Sequence, residues 1–375
     1  MVRVEDQQGT KINEPLVSIL VLNYNGQKFL KACFDSILNS TYSNFEIALV
    51  DNNSKDDSVA YTREHYPMVK IIQTGKNGGY SRAYNIAMRE SDGKYYLLLN
   101  NDVVVDKNWL EPLVTVAEAD EKIAALQPKI RSLIDDGYFE YAGACGGFMD
   151  KYGYPFLRGR IFYTIEKDDG QYDDETDVFW TSGAAMFIRA EALKKSGDLD
   201  EDFVHHMEEI DLCWRLHLVG YRLKVIPDSV IYHYAGATIK ADSFKKIYWN
   251  HRNGIFTLIK NLETRNLIIK GFLRFKLDMI NILHASIGQF DFKHAYAIIK
   301  AYVWLLLHIP LMLQKRKEVQ KLRVVPDRDY QYLMYDKALV VDYFLRNKKT
   351  FQSLDFKIEN SAKPDLKKKS TNFTN

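Results

Sequence analysis

The chain predicts an α/β fold: a doubly wound, mostly parallel sheet with flanking helices, followed by a C-terminal helical region. Three observations carry this. Apolar, β-rich runs alternate with helix-spaced segments over roughly the first hundred residues, and such alternation implies parallel strands joined by helical crossovers. Each run ends in a polar cluster. From about Ala241 onward, no strand pattern survives and long amphipathic stretches take over.

The elements follow in order. "LVSILVLNY", residues 16–24, is the first strand, and in "GQKFLKACFDSIL" the residues Phe29, Leu30, Cys33, Phe34 and Ile37 recur at helical spacing. "FEIALVD", Phe45 to Asp51, is the second strand, with Ser54 or Asp56 placed to cap the next helix. "VKIIQT" is the third strand, "NGGYSRAYNIAMRE" a helix opened by glycines, and "KYYLLLN" the fourth strand. Asp106 is placed to cap the helix in "NWLEPLVTVAEA". The middle segment, "YFEYAGACGGFMDKYGYPFLRGRIF", is rich in Gly and Tyr and reads as hairpins and long loops. "VFWTSGAAMFIRAEAL" returns to strand and then helix. "MEEIDLCWRLHLVGY" sets Ile210, Cys213, Trp214 and Leu218 on one helical stripe, and "YRLKVIP" and "SVIYHY" are two short strands.

This gives an N-terminal extension at 1–15, a sheet domain at 16–240, a helical region at 241–345 and a basic tail at 346–375. The tail has eight Lys/Arg against three Asp/Glu, and its polar composition predicts disorder.

The bulk numbers exclude several classes. A chain of 375 residues, 46% hydrophobic and 27% charged, can bury a sizeable core. A net charge of +2 argues against general nucleic-acid binding. Cys33, Cys145 and Cys213 lie far apart with no C-x-x-C, which disfavours a disulfide scaffold or cysteine–zinc site and fits a reducing cytoplasm. The opening "MVRVEDQQGTKINEP" lacks the apolar core of an export signal. "AYAIIKAYVWLLLHIPLML", Ala295 to Leu313, is interrupted by Lys300, His308 and Pro310. A span wants roughly 20 uninterrupted apolar residues, so this stretch reads as a buried or interfacial helix.

In doubly wound sheets, ligands gather beyond the carboxyl ends of the strands. Here those ends carry Tyr24–Asn25, Asp51–Asn52–Asn53, Gly75–Lys76–Asn77 and Asn100–Asn101–Asp102. A carboxylate just past a strand end suits a hard divalent ion, which is usually held by one or two carboxylates plus substrate phosphates. Asp102 equally fits plain strand termination. His233, in the short apolar strand "VIYHYAG", is either a second ligand or a satisfied core histidine. Asp51 suits contact with a nucleobase or ribose, and also turn chemistry with Asn53 and Ser54. Asn77, Gly78 and Gly79 open a helix whose N–H groups suit an anion. Glu208, Glu209 and Asp211 sit at a helix start, where the macrodipole favours acids. A carboxylate there could also serve as a general base. Asp211 and Arg215 are spaced for an i,i+4 pair.

With these residues in view, the chain resembles the family 2 glycosyltransferases of GT-A fold, and within them the branch holding rhamnosyltransferases of bacterial surface-polysaccharide assembly. The segments that carry the resemblance are "VSILVLNYNG", "LVDNNSKDDS", "KNGGYSRAYNIAM", "YLLLNNDVVV", "WTSGAAMFIRAEAL", "DEDFVHHMEEIDLCWRLHLVGYRL", "VIYHYAGAT" and "YWNHRNGIFTLIKN", in family order over roughly 16–262. The resemblance implies a donor site formed by Asn23, Asn25, Asp51, Asn53, Asn77, Gly78, Gly79, Asn100, Asn101 and Asp102. It implies Mg²⁺ or Mn²⁺ held by Asp102, His233 and Asn101. The acceptor cleft would be bordered by Ser182, Gly183 and His206, with Trp180 offering a stacking face. Glu209, or else Glu208, would be the base.

Two positions depart from the family pattern. The metal motif reads Asn-Asn-Asp, and the frequent Glu-Asp pair is Glu208–Glu209. No Q-x-x-R-W follows, so the resemblance implies single, inverting sugar additions to a saccharide or polyprenyl-diphosphate-linked saccharide. Basic amphipathic stretches such as "WLLLHIPLMLQKRK" suit peripheral contact with the inner face of the cytoplasmic membrane, or packing on the sheet domain or a second copy of the chain. The competing readings are a nucleotidyltransferase of similar fold and a non-catalytic nucleotide-sugar-binding scaffold.

Overall fold

The computed structural model describes residues 14–234 and 243–358. The expected N-terminal extension lies outside them except for its last two residues. The chain opens with β1 (Val17–Asn23), α1 (Gln27–Leu38), β2 (Phe45–Asp51), α2 (Ser58–His65), β3 (Lys70–Gln73), α3 (Gly79–Arg89), β4 (Tyr95–Asn100), β5 (Val103–Val105), α4 (Leu110–Ala119) and β6 (Ile123–Ser132). The Gly- and Tyr-rich middle forms β7 (Gly147–Asp150), β8 (Pro155–Leu157), β9 (Arg160–Ile161) and β10 (Thr164–Ile165). Next come β11 (Thr176–Asp177), β12 (Ala185–Arg189), α5 (Ala190–Ser196), α6 (Glu208–Leu218) and β13 (Arg222–His233). The last elements are α7 (Phe244–Asn261), α8 (Thr264–Leu283), α9 (Phe292–Leu307), α10 (Ile309–Leu322), β14 (Met334–Tyr335) and α11 (Leu339–Phe344).

The main sheet runs β11-β13-β6-β12-β4-β1-β2-β3, with β5 on β13. Alternate residues of its strands feed two cores. Val17, Ile19, Leu97 and Leu99 pack on the face of α1 and α4, and Leu20, Val50 and Leu98 on the face of α3 and α6. Both faces are covered, which is why these strands read as continuous apolar runs. The α/β expectation holds, but the parallel character is confined to β4-β1-β2-β3 and to β6-β13. β12 runs antiparallel between β4 and β6. The two short strands expected near 221–234 are one, β13, because a shift in register between Ile226 and Val230 carries it past "PDS" without a break.

Two further expectations give way. Strand structure does return after Ala241: β14 pairs with β7 and completes a second sheet, β10-β9-β8-β7-β14. Residues 346–358 are packed rather than disordered, with Phe351 and Leu354 buried and the Phe351 ring against Phe148 and Phe156. The rest of the tail lies outside the described residues. Capping differs as well. Ser54 serves the end of β1, while Asp56, the other residue placed to cap α2, accepts from the N–H of its first residue, Ser58, at 3.2 Å; α4 begins without a side-chain cap from Asp106.

Candidate active site

Four strand ends meet at one edge of the sheet. At the end of β1, the amide of Asn23 donates to Ser54 Oγ (3.0 Å) and its oxygen accepts from Asn101 (2.6 Å). Asn25 takes a left-handed turn, φ 52°, as does Asn53 at the end of β2, φ 66°, a conformation asparagine tolerates. Their side-chain oxygens accept from the Lys55 backbone N–H (2.7 Å) and its ammonium (3.2 Å) respectively. Asp51, buried, accepts from the Ser54 N–H at 3.2 Å.

Asn52 is the hub that the sequence reading passed over. Its oxygen accepts from Thr74 (3.0 Å) and from the Gly78 N–H (3.2 Å), and its amide donates to Asn77 (3.0 Å). Asn77 in turn accepts from the Gly79 N–H at 3.2 Å. The N–H groups expected to be free for an anion are therefore held by side chains. Gly79 has φ +82°, and a Cβ there would come within 2.8 Å of the Val204 carbonyl oxygen. Glycine is required at that position, and it brings the start of α3 against the loop that leads to α6.

The expected pairing of Asp102 with His233 is present. His233 Nε2 lies 3.0 Å from Asp102 Oδ1. β13 and β5 align antiparallel, with His233 opposite Val103. The amide that joins them is that of Asn100, 3.3 Å from Nε2. Asn101, expected as a ligand, instead turns its amide to Asn23. The other ring nitrogen meets Glu140, a residue in the loop-rich middle that no motif singles out. Its buried carboxylate lies 3.3 Å from Nδ1, as an ion pair rather than an aligned hydrogen bond. Burial alone would lower the His233 pKa, but Glu140 and Asp102 outweigh it and push it up to about 10.

The donor set fits a divalent cation. Among the described residues no group of three or more His, Cys, Asp or Glu side chains is arranged to hold a metal. Asp102 and His233 offer one oxygen and one nitrogen on the same side. A carboxylate against the second ring nitrogen is the usual means of aiming a ligating histidine. Two protein ligands leave the remaining positions to water and substrate phosphate, as Mg²⁺ sites commonly do.

The acid pair stands at the start of α6. His206 (φ 67°) and Met207 (φ 74°) are both left-handed, an unusual pair of conformations that turns the chain sharply into the helix. Asn253 of α7 clamps this turn, donating to the carbonyls of His205 (2.8 Å) and His206 (2.7 Å). Glu208 is buried with Oε2 unpaired, and burial and then Glu209 push its pKa well above the usual range. Glu209 is half-buried, and burial pushes it up to about 7. His206 carries a buried Nε2 without a hydrogen-bond partner among the described residues, and its pKa falls to about 4 through burial and then Lys246. Asp211 pairs with Arg215 as spaced (3.0 Å) and also with Lys260 (2.9 Å) and Asn261 (2.9 Å). It is a buried anchor between α6 and α7.

A run of contacts links the start of α3 to the histidine. Gly79, against the Val204 carbonyl in the loop that leads to the acids, precedes Tyr80, whose hydroxyl donates to the Gly183 carbonyl at 2.8 Å. The next residue, Ala184, accepts from the Asn100 N–H at 3.0 Å, and Asn100 touches His233. Gly183, expected to border the acceptor cleft, lies on this path. Ser182 and Trp180 do not. The Ser182 hydroxyl is buried and donates to Ala142 (3.2 Å). The Trp180 indole is buried, donates to the Phe148 carbonyl (2.8 Å) and packs where a Cβ on Gly147 would collide with it. Apolar burial of the large ring prevails over any stacking role.

Comparison with known proteins finds glycosyltransferases. A model described as glycosyl transferase family 2 matches residues 18–196. Rhamnosyltransferase WbbL of Escherichia coli K12 is 24% identical over 266 residues, covering 67% of this chain and 96% of that protein. An N-acetylglucosaminyl-diphospho-decaprenol L-rhamnosyltransferase of Mycobacterium tuberculosis is 23% identical over 252 residues, covering 64% and 82%. An uncharacterized glycosyltransferase of Haemophilus influenzae is 29% identical over 126 residues, 33% of this chain, and the match spans 39% of that protein's length. In fold, the chain is similar to S. aureus TarS 1–349 (TM-score 0.51, 18% identity, covering 86% of this chain and 93% of that one). It is also similar to GalNAc-T7 with UDP, GalNAc and Mn²⁺ (TM-score 0.52, 17% identity, covering 66% and 48%). Residues 18–196, which build most of this sheet edge, thus carry the similarity to the glycosyl transferase family 2 model.

Proposed function

We propose that the protein transfers one sugar from a nucleoside-diphosphate sugar to a saccharide or polyprenyl-diphosphate-linked saccharide, with inversion at the anomeric carbon. The observation that carries this is the meeting of His233 of β13 with Asp102 of the β4–β5 turn, linked through Asn100, Ala184 and Gly183 to Tyr80 at the start of α3, whose Gly79 lies against the loop leading to Glu209. Asp51 and the turn ordered by Asn52 form the nucleoside end. Asp102 and His233 would hold Mg²⁺ or Mn²⁺, with Glu140 fixing the ring. Such an ion supplies neutralisation of the charge that grows on a departing diphosphate.

Glu209, with its proton affinity raised to about 7, takes the proton from the acceptor hydroxyl. That oxygen attacks the anomeric carbon from the face opposite the diphosphate, and a single displacement inverts the configuration. Glu208, more deeply buried, keeps its proton and does not compete. Asn253 and the left-handed turn hold Glu209 in place. Gly183 and Tyr80 form the acceptor side.

The names of the rhamnosyltransferase relatives favour a rhamnose donor and a lipid-linked saccharide acceptor, and the family resemblance favours deoxythymidine-diphospho-rhamnose. Work on such an acceptor puts the protein on the cytoplasmic side of a membrane. The test is a panel of nucleotide sugars scored by released nucleoside diphosphate with a saccharide acceptor present. Release confined to one or two donors and dependent on acceptor supports the reading. Pyrophosphate release, or donor binding without turnover across the panel, would sink it.

A further inference from the structure

Helix α8 carries its polarity reversed, and α9 and α10 extend its exposed apolar side. In α8, the residues turned inward are Arg274 and Asp278, both buried and paired at 3.0 Å. Asp278 also accepts from Tyr154 (2.9 Å) and Tyr302 (2.8 Å), and the Arg274 guanidinium stacks 3.9 Å over the Tyr154 ring. The residues turned outward are Ile268, Ile269, Phe272, Phe275, Ile280 and Leu283. The pattern continues into α9 and α10 through Val303, Leu306, Leu307 and Leu313, with Phe272 58% and Leu307 74% exposed.

Both halves of this arrangement cost free energy in water. A buried ion pair gives up hydration, and a contiguous apolar face this broad is uncommon on a monomer. The inversion is favourable where the outer medium is itself apolar.

Charge identifies that medium. Residues 264–322 hold ten Lys/Arg against three Asp/Glu, a surplus of seven. Exposed Lys276, Lys293, Lys300 and Lys317 lie among the apolar positions. A second copy of the face would bring the same surplus against it, whereas anionic headgroups complement it. No single helix among the described residues is long and apolar enough to cross a membrane, and α9 and α10 bend by 75° where they join. The geometry fits insertion into one leaflet.

We propose that α8 to α10 form a monotopic seat whose outward face enters one leaflet of an anionic membrane. The seat is tied to the acid pair. Trp304 of α9 stacks on Arg252 of α7 at 3.9 Å, and Arg252 donates to the Asp202 carbonyl at 2.6 Å, in the loop before Glu208. The seat therefore sets the height of the cleft above the lipid, where a lipid-diphosphate acceptor would present its sugar; this last point rests on the sugar-transfer reading.

The test is flotation of the full chain with vesicles of phosphatidylcholine and phosphatidylglycerol, at low and high salt, beside Phe272→Gln/Leu306→Gln/Leu307→Gln. The wild type should float and stay bound at high salt. The triple variant should lose about a hundredfold in vesicle affinity. All three side chains are exposed, so its circular dichroism and its nucleoside-diphosphate release with a soluble acceptor should match the wild type. A wild-type chain that stays at the bottom of the gradient overturns the proposal. So does a solution dimer that the triple variant abolishes, which assigns the face to a second copy. Flotation with no turnover on any donor would leave the seat standing and remove the sugar-transfer reading instead.

Discussion

Strand β4 and helix α8 solve opposite problems. β4 buries Leu97, Leu98 and Leu99 and delivers its polar residues to the edge, where Asn100 and Asp102 meet His233. α8 buries Arg274 and Asp278 and delivers its isoleucines and phenylalanines outward. The first pattern belongs to an element surrounded by protein, with water at its end. The second belongs to an element whose outer face is meant for something other than water. Helix α7 joins the two regions: Asn253 and Arg252 hold the turn before the acid pair, and Phe256 and Arg252 pack on Trp304 of α9.

The largest effect should come from the sheet edge. Asp102→Ala should lower nucleoside-diphosphate release by about a thousandfold or more, because it removes the carboxylate that would balance a divalent ion. Steady-state turnover with Mn²⁺ checks this, and near-normal rates would detach Asp102 from the chemistry. Glu209→Gln should keep donor affinity and lose more than about a hundredfold in rate.

The same variant has a stability signature. Burial raises the folded-state pKa of Glu209 to about 7, above the ordinary value near 4.3. The folded protein thus holds that proton more tightly, and wild-type stability falls as pH rises between those values. Glu209→Gln should be the more stable protein above pH 7 and lose that advantage toward pH 4, as urea titrations at several pH values would show.

Asn253→Ala tests the joint between the regions. It frees the carbonyls of His205 and His206 and should lower kcat about tenfold, with a stability loss of about 1–3 kcal/mol. A positioning role predicts in addition that the pH midpoint of the rate moves away from 7 while the donor KM holds. A simple loss of folded protein would move neither. The smallest effect should be Phe272→Gln, within about 0.5 kcal/mol of wild type, since the side chain already stands exposed. A loss of several kcal/mol would mean that the outward face is packed by protein.

Much of the sheet half was legible in the sequence, and physical reasons mark where legibility stopped. Strands covered on both faces write themselves as apolar runs, so β1 to β4 and the polar clusters at their ends stood out. Asp102 and His233 could be paired on chemistry, although Asn100, not Asn101, completes the group. Glu140 could not be found, because it lies in loop-rich chain whose fold depends on β7 to β10, strands of two to four residues with too little periodicity to read. Trp180 misled because an aromatic beside a site motif has the same letter whether it faces the cleft or the core. Phe351 and Leu354 were hidden in a composition that averages to polar. In α8, apolar and basic positions are mixed, and periodicity is silent on which side faces inward. Only the packing of Arg274 and Asp278 against Tyr154 and Tyr302 answers that.

The most direct test of the account is donor turnover by wild type and Asp102→Ala, each with Mn²⁺ and with chelator, read as released nucleoside diphosphate. The account predicts acceptor-dependent release in the wild type with Mn²⁺ and near-background release in the other three conditions. Equal release by the wild type with and without the ion, matched by the variant, would contradict it.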